Sequence, residues 1–120
     1  MPKPSSTALT AFESMVPDSP HVSKRPMFGN RAAFVNGNMF AGLYGEDLFV
    51  RLPADRLEEL YVTGGKPFEP MPGRGMRGYG CVHPGWIQEP SGAASWVAEA
   101  LEFTSQLPAK ESTSRPKKRR

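Results

Sequence analysis

Arg25-Pro26-Met27-Phe28-Gly29, Arg31 to Val35, Asn36-Gly37, Asn38 to Tyr44, Gly45-Glu46-Asp47 and Leu48 to Leu52 form one stretch of three short apolar segments joined by two tight turns. Asn-Gly between apolar runs is the strongest short hairpin signal, because a type I′ turn needs positive φ at both central positions. Gly45-Glu46-Asp47 makes the second turn. The reading is a three-stranded antiparallel meander. In its middle strand Met39, Ala41 and Leu43 alternate with Phe40, Gly42 and Tyr44. In its third strand Leu48, Val50 and Leu52 alternate with Phe49 and Arg51. Aromatic residues on the second face predict that it is partly covered, by a helix or by a partner.

Helical signals flank the meander. Leu9, Phe12 and Val16 recur at helical spacing, which predicts a helix over about 7–16 starting at Ser6 or Thr7 and stopped by Pro17 and Pro20. A second helix is expected over about 53–63, with Pro53 at its first position, Leu57, Leu60 and Tyr61 as its buried stripe, and Gly64-Gly65 as its stop. Lys66 to Glu69 and about 76–83 read as two short strands. Ala93, Trp96, Val97, Ala100 and Leu101 place a last helix over about 91–107, with Ser91 as N-cap and Pro108 as terminator. The fold class is therefore α+β: helix, meander, helix, two short strands, helix. A lead over 1–6, a domain over 7–108 and a disordered basic tail over 109–120 complete the division.

Composition narrows the class. A chain of 120 residues is one domain by length, and 38% hydrophobic residues suffice for one core. No run reaches the roughly 18 apolar residues that a membrane span needs. The N-terminus lacks the apolar segment of a secretory signal, and Cys81 is the only cysteine, so a reducing cytoplasm is the expected home. The net charge of +3 divides unevenly: the residues after 109 carry +5, and those before carry −2. A mildly acidic body with a basic tail is not the footprint of a dedicated DNA-binding domain.

Candidate sites are few. Gly73-Arg74-Gly75-Met76-Arg77-Gly78 has the G-x-G-x-x-G spacing, yet prolines precede it and a strand follows, so no helix N-terminus is offered to a pyrophosphate. The plainer reading is a turned loop between two strands. Arg74 and Arg77 beside Phe68 and Tyr79 could take phosphate and stack a base, and the Gly73–Gly80 loop could close over a small ligand. Lys117, Lys118, Arg119 and Arg120 could hold nucleic acid weakly or serve only solubility. Cys81, His83 and His21 lack a standard zinc spacing and a fourth ligand. Glu58, Glu59, Glu99 and Glu102 read as solubilising helix charge. The expectation is no catalytic residue, no cofactor and no metal, with a protein partner, weak non-specific nucleic-acid contact through the tail, a homodimer as a further assembly, and no membrane.

Arg25-Pro26-Met27-Phe28-Gly29, Ala33 to Ala41, Leu48 to Leu52, Gly65-Lys66-Pro67-Phe68, Met76, Trp96 and Leu101, taken in order, resemble the N-terminal domain of the TfoX/Sxy proteins over about 7–107. The resemblance implies a bacterial cytoplasmic protein with a two-layer sandwich fold of the TfoX-N/YjbR-like kind. It also implies a regulatory role, since named members act in competence for DNA uptake, and no catalytic residues to carry over. Two departures stand out. Asn30-Arg31 replaces a second glycine after Met-Phe-Gly, and a basic tail stands where full-length regulators carry a helical C-terminal domain.

Overall fold

A computed structural model of the chain describes residues 4–17, 19–27, 30–69, 75 and 77–108, with the side chain of Met27 excepted. Its elements are α1 (Ser6–Met15), β1 (Val22–Met27), β2 (Asn30–Val35), β3 (Asn38–Tyr44), β4 (Asp47–Arg51), α2 (Ala54–Val62), β5 (Lys66–Pro67), β6 (Tyr79–Cys81), a 3-10 turn (Pro84–Ile87) and α3 (Pro90–Ser105). The strands form one antiparallel sheet in the order β1-β2-β3-β4-β6-β5. The α+β class stands, but the three-stranded meander is corrected to four strands within a six-stranded sheet. The overlooked strand is β1. Its sequence, Val-Ser-Lys-Arg-Pro-Met, has adjacent charges and a proline and no apolar alternation. It is an edge strand, paired only to β2, and needs little apolar surface. The Asn36 amide donates to the His21 carbonyl. Continuing that alternation turns the Val22, Lys24 and Pro26 amide positions toward the open edge, where a residue without an N–H costs no ladder bond.

The turns form as read. Asn36 and Gly37 take φ of 52° and 83°, as a type I′ turn requires. Gly64 ends α2 with φ of 108°. The helix caps differ from expectation at two places. Glu89, not Ser91, is the N-cap of α3, with Pro90 as its first residue, and Pro53 is the N-cap of α2 rather than its first residue. Proline suits both places because neither helix asks that amide for a bond. At α1 the Ser5 hydroxyl accepts from the Ala8 amide at 3.1 Å. The Glu46 carboxylate in turn accepts from the Ser5 amide at 2.7 Å, so the β3–β4 turn anchors the start of the helix.

All three helices cover one face of the sheet. Phe12, Leu60, Val97 and Ala100 pack there against Val35, Phe40, Leu43, Leu48 and Val50. Phe40 does not share a face with Tyr44 as strict alternation predicts. The register between β2 and β3 slips between Ala33 and Phe34, so that Ala33 faces Ala41 while Phe34 faces Met39. Phe40 is the extra residue of a β-bulge, and the bulge turns it into the helix-side core and sends Met39 to the opposite face. Among the described residues no helix is long and apolar enough to cross a membrane.

Candidate functional site

The second sheet face carries a smaller core of its own. Ala32, Met39, Phe49, Phe68 and Cys81 are buried there, with Phe34, Tyr44 and Tyr79 packed at the margin. The cover comes from Phe68, just past β5. Its ring stacks on Phe49 at 4.2 Å between centroids and 11° between planes, and meets Tyr44 edge-on at 5.8 Å. Phe49 in turn lies across Gly42, where an added Cβ would come within 2.5 Å of its ring. Neither the last helix nor a partner is needed to bury the Phe49 region.

Beyond this patch, among the described residues, the face carries arginines beside half-buried aromatic rings. Arg25 pairs with Ala32 in register and lays its guanidinium 4.0 Å from the centroid of Phe34. Arg51 pairs with Tyr79 and stands 5.7 Å from that ring. The Tyr79 hydroxyl donates to the Met39 carbonyl at 3.0 Å, which fixes the ring. Burial raises the Tyr79 phenol above its ordinary pKa, with Arg51 pulling the other way. Arg77 is exposed at the start of β6, beside a cavity of about 360 Å³ also lined by Tyr61, Pro67, Phe68, Gly75, Gly78 and Tyr79. Of the residues expected to meet nucleic acid, Arg77 is thus brought to Phe68 and Tyr79. Arg74, Lys117, Lys118, Arg119 and Arg120 lie outside the described residues, as do Phe28 and Gly29. Gly78, with φ of 87°, opens a strand and not a helix, so the glycine spacing does not build a phosphate-binding helix N-terminus.

The remaining titratable groups are held in structural roles. Cys81 is buried, and desolvation with Asp47 nearby pushes its thiol up to about 12, against a weaker pull from Lys66. His83 points away from the second core, accepting the Gly85 amide on Nδ1 at 2.8 Å, and its ring occupies the space beside Gly64. No group of three or more His, Cys, Asp or Glu among the described residues could hold a metal ion. Glu99, expected to be solvating charge, instead takes both Nε and Nη2 of Arg56, with the second contact at 3.1 Å. Arg56 also stands 5.3 Å from the Trp96 ring, so this group ties α2 to α3. Glu13 accepts from Lys24 and Arg31 at 2.8 Å each, and the hydrogen bond from Lys24, ahead of the field of Arg31, holds its carboxyl below the ordinary value.

The comparison with protein families gives one result. The TfoX N-terminal domain matches residues 14–104. The chain belongs to that family. The match runs from the last two residues of α1 through nearly all of α3, so the whole sheet is the TfoX N-terminal fold. Domains of this family are non-catalytic, and the chain is accordingly no enzyme. No curated protein and no solved structure matches it. The Asn30-Arg31 departure has a local use here. Asn30 is buried and its side chain accepts the Gly45 amide at 2.8 Å, while Arg31 reaches α1 through Glu13.

Sequence reasoning missed Arg25 and Arg51 as surface groups. The signal for Arg25 depended on recognising β1, since only its pairing with β2 sets the guanidinium over Phe34. Arg51 was placed on the correct face, opposite Leu52 and with Phe49, but its ring partner arrives from β6, 28 residues later in the chain.

Proposed function

We propose that this TfoX N-terminal domain is a regulatory module that acts by binding another protein, in the bacterial cytoplasm and in the control of competence for DNA uptake. The observation that carries the reading is the family match over residues 14–104, and the direction of every shifted titration among the described residues agrees with it. Glu13 is lowered, Arg56, Tyr61 and Tyr79 are raised, and Cys81 is raised to about 12. All five move away from neutrality. General acid, base or nucleophilic work asks for the opposite, a group poised near the working pH. Charges and hydroxyls in this chain hold elements together and leave surface as the means of action.

A different protein suits the open edge of β1 better than a second copy does. Two copies paired along that edge would bring Lys24 and Arg25 against like charges, and Pro26 removes a donor, a combination that discourages strand pairing. In this reading Lys117, Lys118, Arg119 and Arg120 add weak, salt-dependent attraction to nucleic acid. The test is affinity capture by the tagged full chain from nuclease-treated native lysate. One protein retained near equal stoichiometry and displaced by untagged chain is the expected result. If nothing is retained, or if nothing competes, the module does not act through a protein partner.

A further inference from the structure

We infer that the arginine-bearing half of the second sheet face binds single-stranded nucleic acid, with Arg25 on Phe34 and Arg51 beside Tyr79 as its two contact points. The first argument is charge. Every ion pair among the described residues involves Lys24, Arg31, Arg56 or Lys66. Arg25, Arg51 and Arg77 have no carboxylate partner among the described residues. The acids are mostly elsewhere: Glu13 on α1, Asp55, Glu58 and Glu59 on α2, and Glu99 and Glu102 on α3. Asp47 shares the second face but is held by Lys66 at 3.4 Å, and Glu69, next to Phe68, is the exposed acid at the β5 margin of that face. The domain therefore presents an acidic helix layer and an arginine-bearing sheet face, a separation that turns the sheet toward an anionic polymer as it approaches.

The second argument is shape. The planar Arg25 guanidinium stands 4.0 Å from the centroid of Phe34 with no carboxylate on its N–H edges among the described residues, while Arg51 sits farther out, 5.7 Å from the Tyr79 ring, and hydrogen-bonds Tyr79. A base stacks on the plane, and the neighbouring phosphate meets the edges. An acidic peptide would use the edges and leave the plane idle. The backbones of Phe34 on β2 and Tyr79 on β6 are three strand spacings apart in the sheet order, or roughly 14 Å, and the Tyr79 ring reaches back across β4 to the Met39 carbonyl on β3. Met39 lies between them on the same face and Phe68 seals the neighbouring Phe49, so the two platforms are fixed relative to one another. A duplex keeps its bases stacked inside and could use only the phosphate contacts.

The experiment is fluorescence anisotropy of a labelled 12-mer oligo(dT), and separately oligo(U), with the full chain across a salt series. Arg25→Lys keeps the charge and loses the plane, so affinity falls about tenfold with the salt slope unchanged. Arg25→Ala loses both, and the slope of log K against log salt becomes shallower by ~0.7, one phosphate contact. Arg51→Lys repeats the first pattern at the other platform. A chain with Lys117, Lys118, Arg119 and Arg120 all changed to Gln retains the dependence on Arg25. Arg25 is exposed, so its variants keep the melting temperature. The inference is overturned if wild type does not bind the 12-mers at low salt, or if Arg25→Ala binds as wild type does. It is equally overturned if an oligoglutamate of equal charge competes as well as oligo(dT), which would make this face a protein-docking surface. Capture from nuclease-treated lysate reads the protein partner separately, so either idea can fail alone.

Discussion

Phe68→Ala tests whether the second core holds the sheet together. The ring is 2% exposed and contacts Phe49 face to face at 4.2 Å and Tyr44 edge-on. A buried aromatic side chain removes about 150–250 Å² from water, worth roughly 4–6 kcal/mol at about 25 cal/mol/Å². Truncations of this kind cost about 3–5 kcal/mol. Phe68 follows a strand of only two residues at the sheet edge, where the backbone can settle into the space left behind. The loss therefore falls at the low end, about 3 kcal/mol, which lowers the melting temperature by about 15 °C for a domain near 100 residues. Phe68→Leu retains most of the buried area and loses about 1 kcal/mol. Urea unfolding of Phe68→Ala, Phe49→Ala and the double variant isolates the stacked pair, with a coupling of about 0.5–1.5 kcal/mol. A loss below about 1 kcal/mol for Phe68→Ala, or a coupling near zero, would refute the stacked arrangement and leave the Phe49 face open to solvent.

Two further outcomes follow from buried polar atoms. Thr104 on α3 is fully buried, and its hydroxyl has no hydrogen-bond partner among the described residues. Thr104→Val keeps the shape and removes the unpaired group, so stability rises by about 1 kcal/mol in chemical denaturation, and a loss of stability would mean that the hydroxyl is bonded. For Cys81, raised from 9.0 to about 12 when folded, the unfolded chain loses its thiol proton first as the pH climbs. Its contribution is complete below about pH 9 and is lost between pH 9 and 12, so the stability difference between wild type and Cys81→Ala narrows over that window, and a disulfide-forming thiol reagent labels the native chain only after denaturant is added.

Local chemistry explains what was legible in the sequence. Asn36-Gly37 specified its own turn, because few dipeptides accept positive φ twice. The stripes Leu57/Leu60 and Ala93/Val97/Ala100 specified their helices, and these residues are buried as their spacing implies. What escaped depends on partners distant in the chain. Nothing local in Val22 to Met27 marks a strand, since its identity comes from β2 beside it. The bulge at Phe40 follows from the register between two strands, to which alternation within either strand is blind. Phe68 covers Phe49 from the far side of α2, and Glu99 meets Arg56 across a separation of 43 residues. The arginine platforms belong to the same class, because each joins residues that only the assembled sheet brings together.

The bulge links the architecture to the surface. Without the extra residue, strict alternation would leave Phe40 on the second face and turn Met39 toward the helices. The helix-side core would lose a fully buried phenylalanine, and Tyr79 would find a phenyl ring where the Met39 side chain now fills the floor between the platforms. The Tyr79 hydroxyl bond to the Met39 carbonyl depends on where β3 runs at that point, and Arg51 is set over the ring that this bond holds. The irregularity that completes the large core thus also fixes the outer platform. Phe40 and Met39 are therefore coupled positions. A change in register at Ala33/Phe34 would disturb core packing and the arginine face together, whereas a change at Arg25 would touch the face alone.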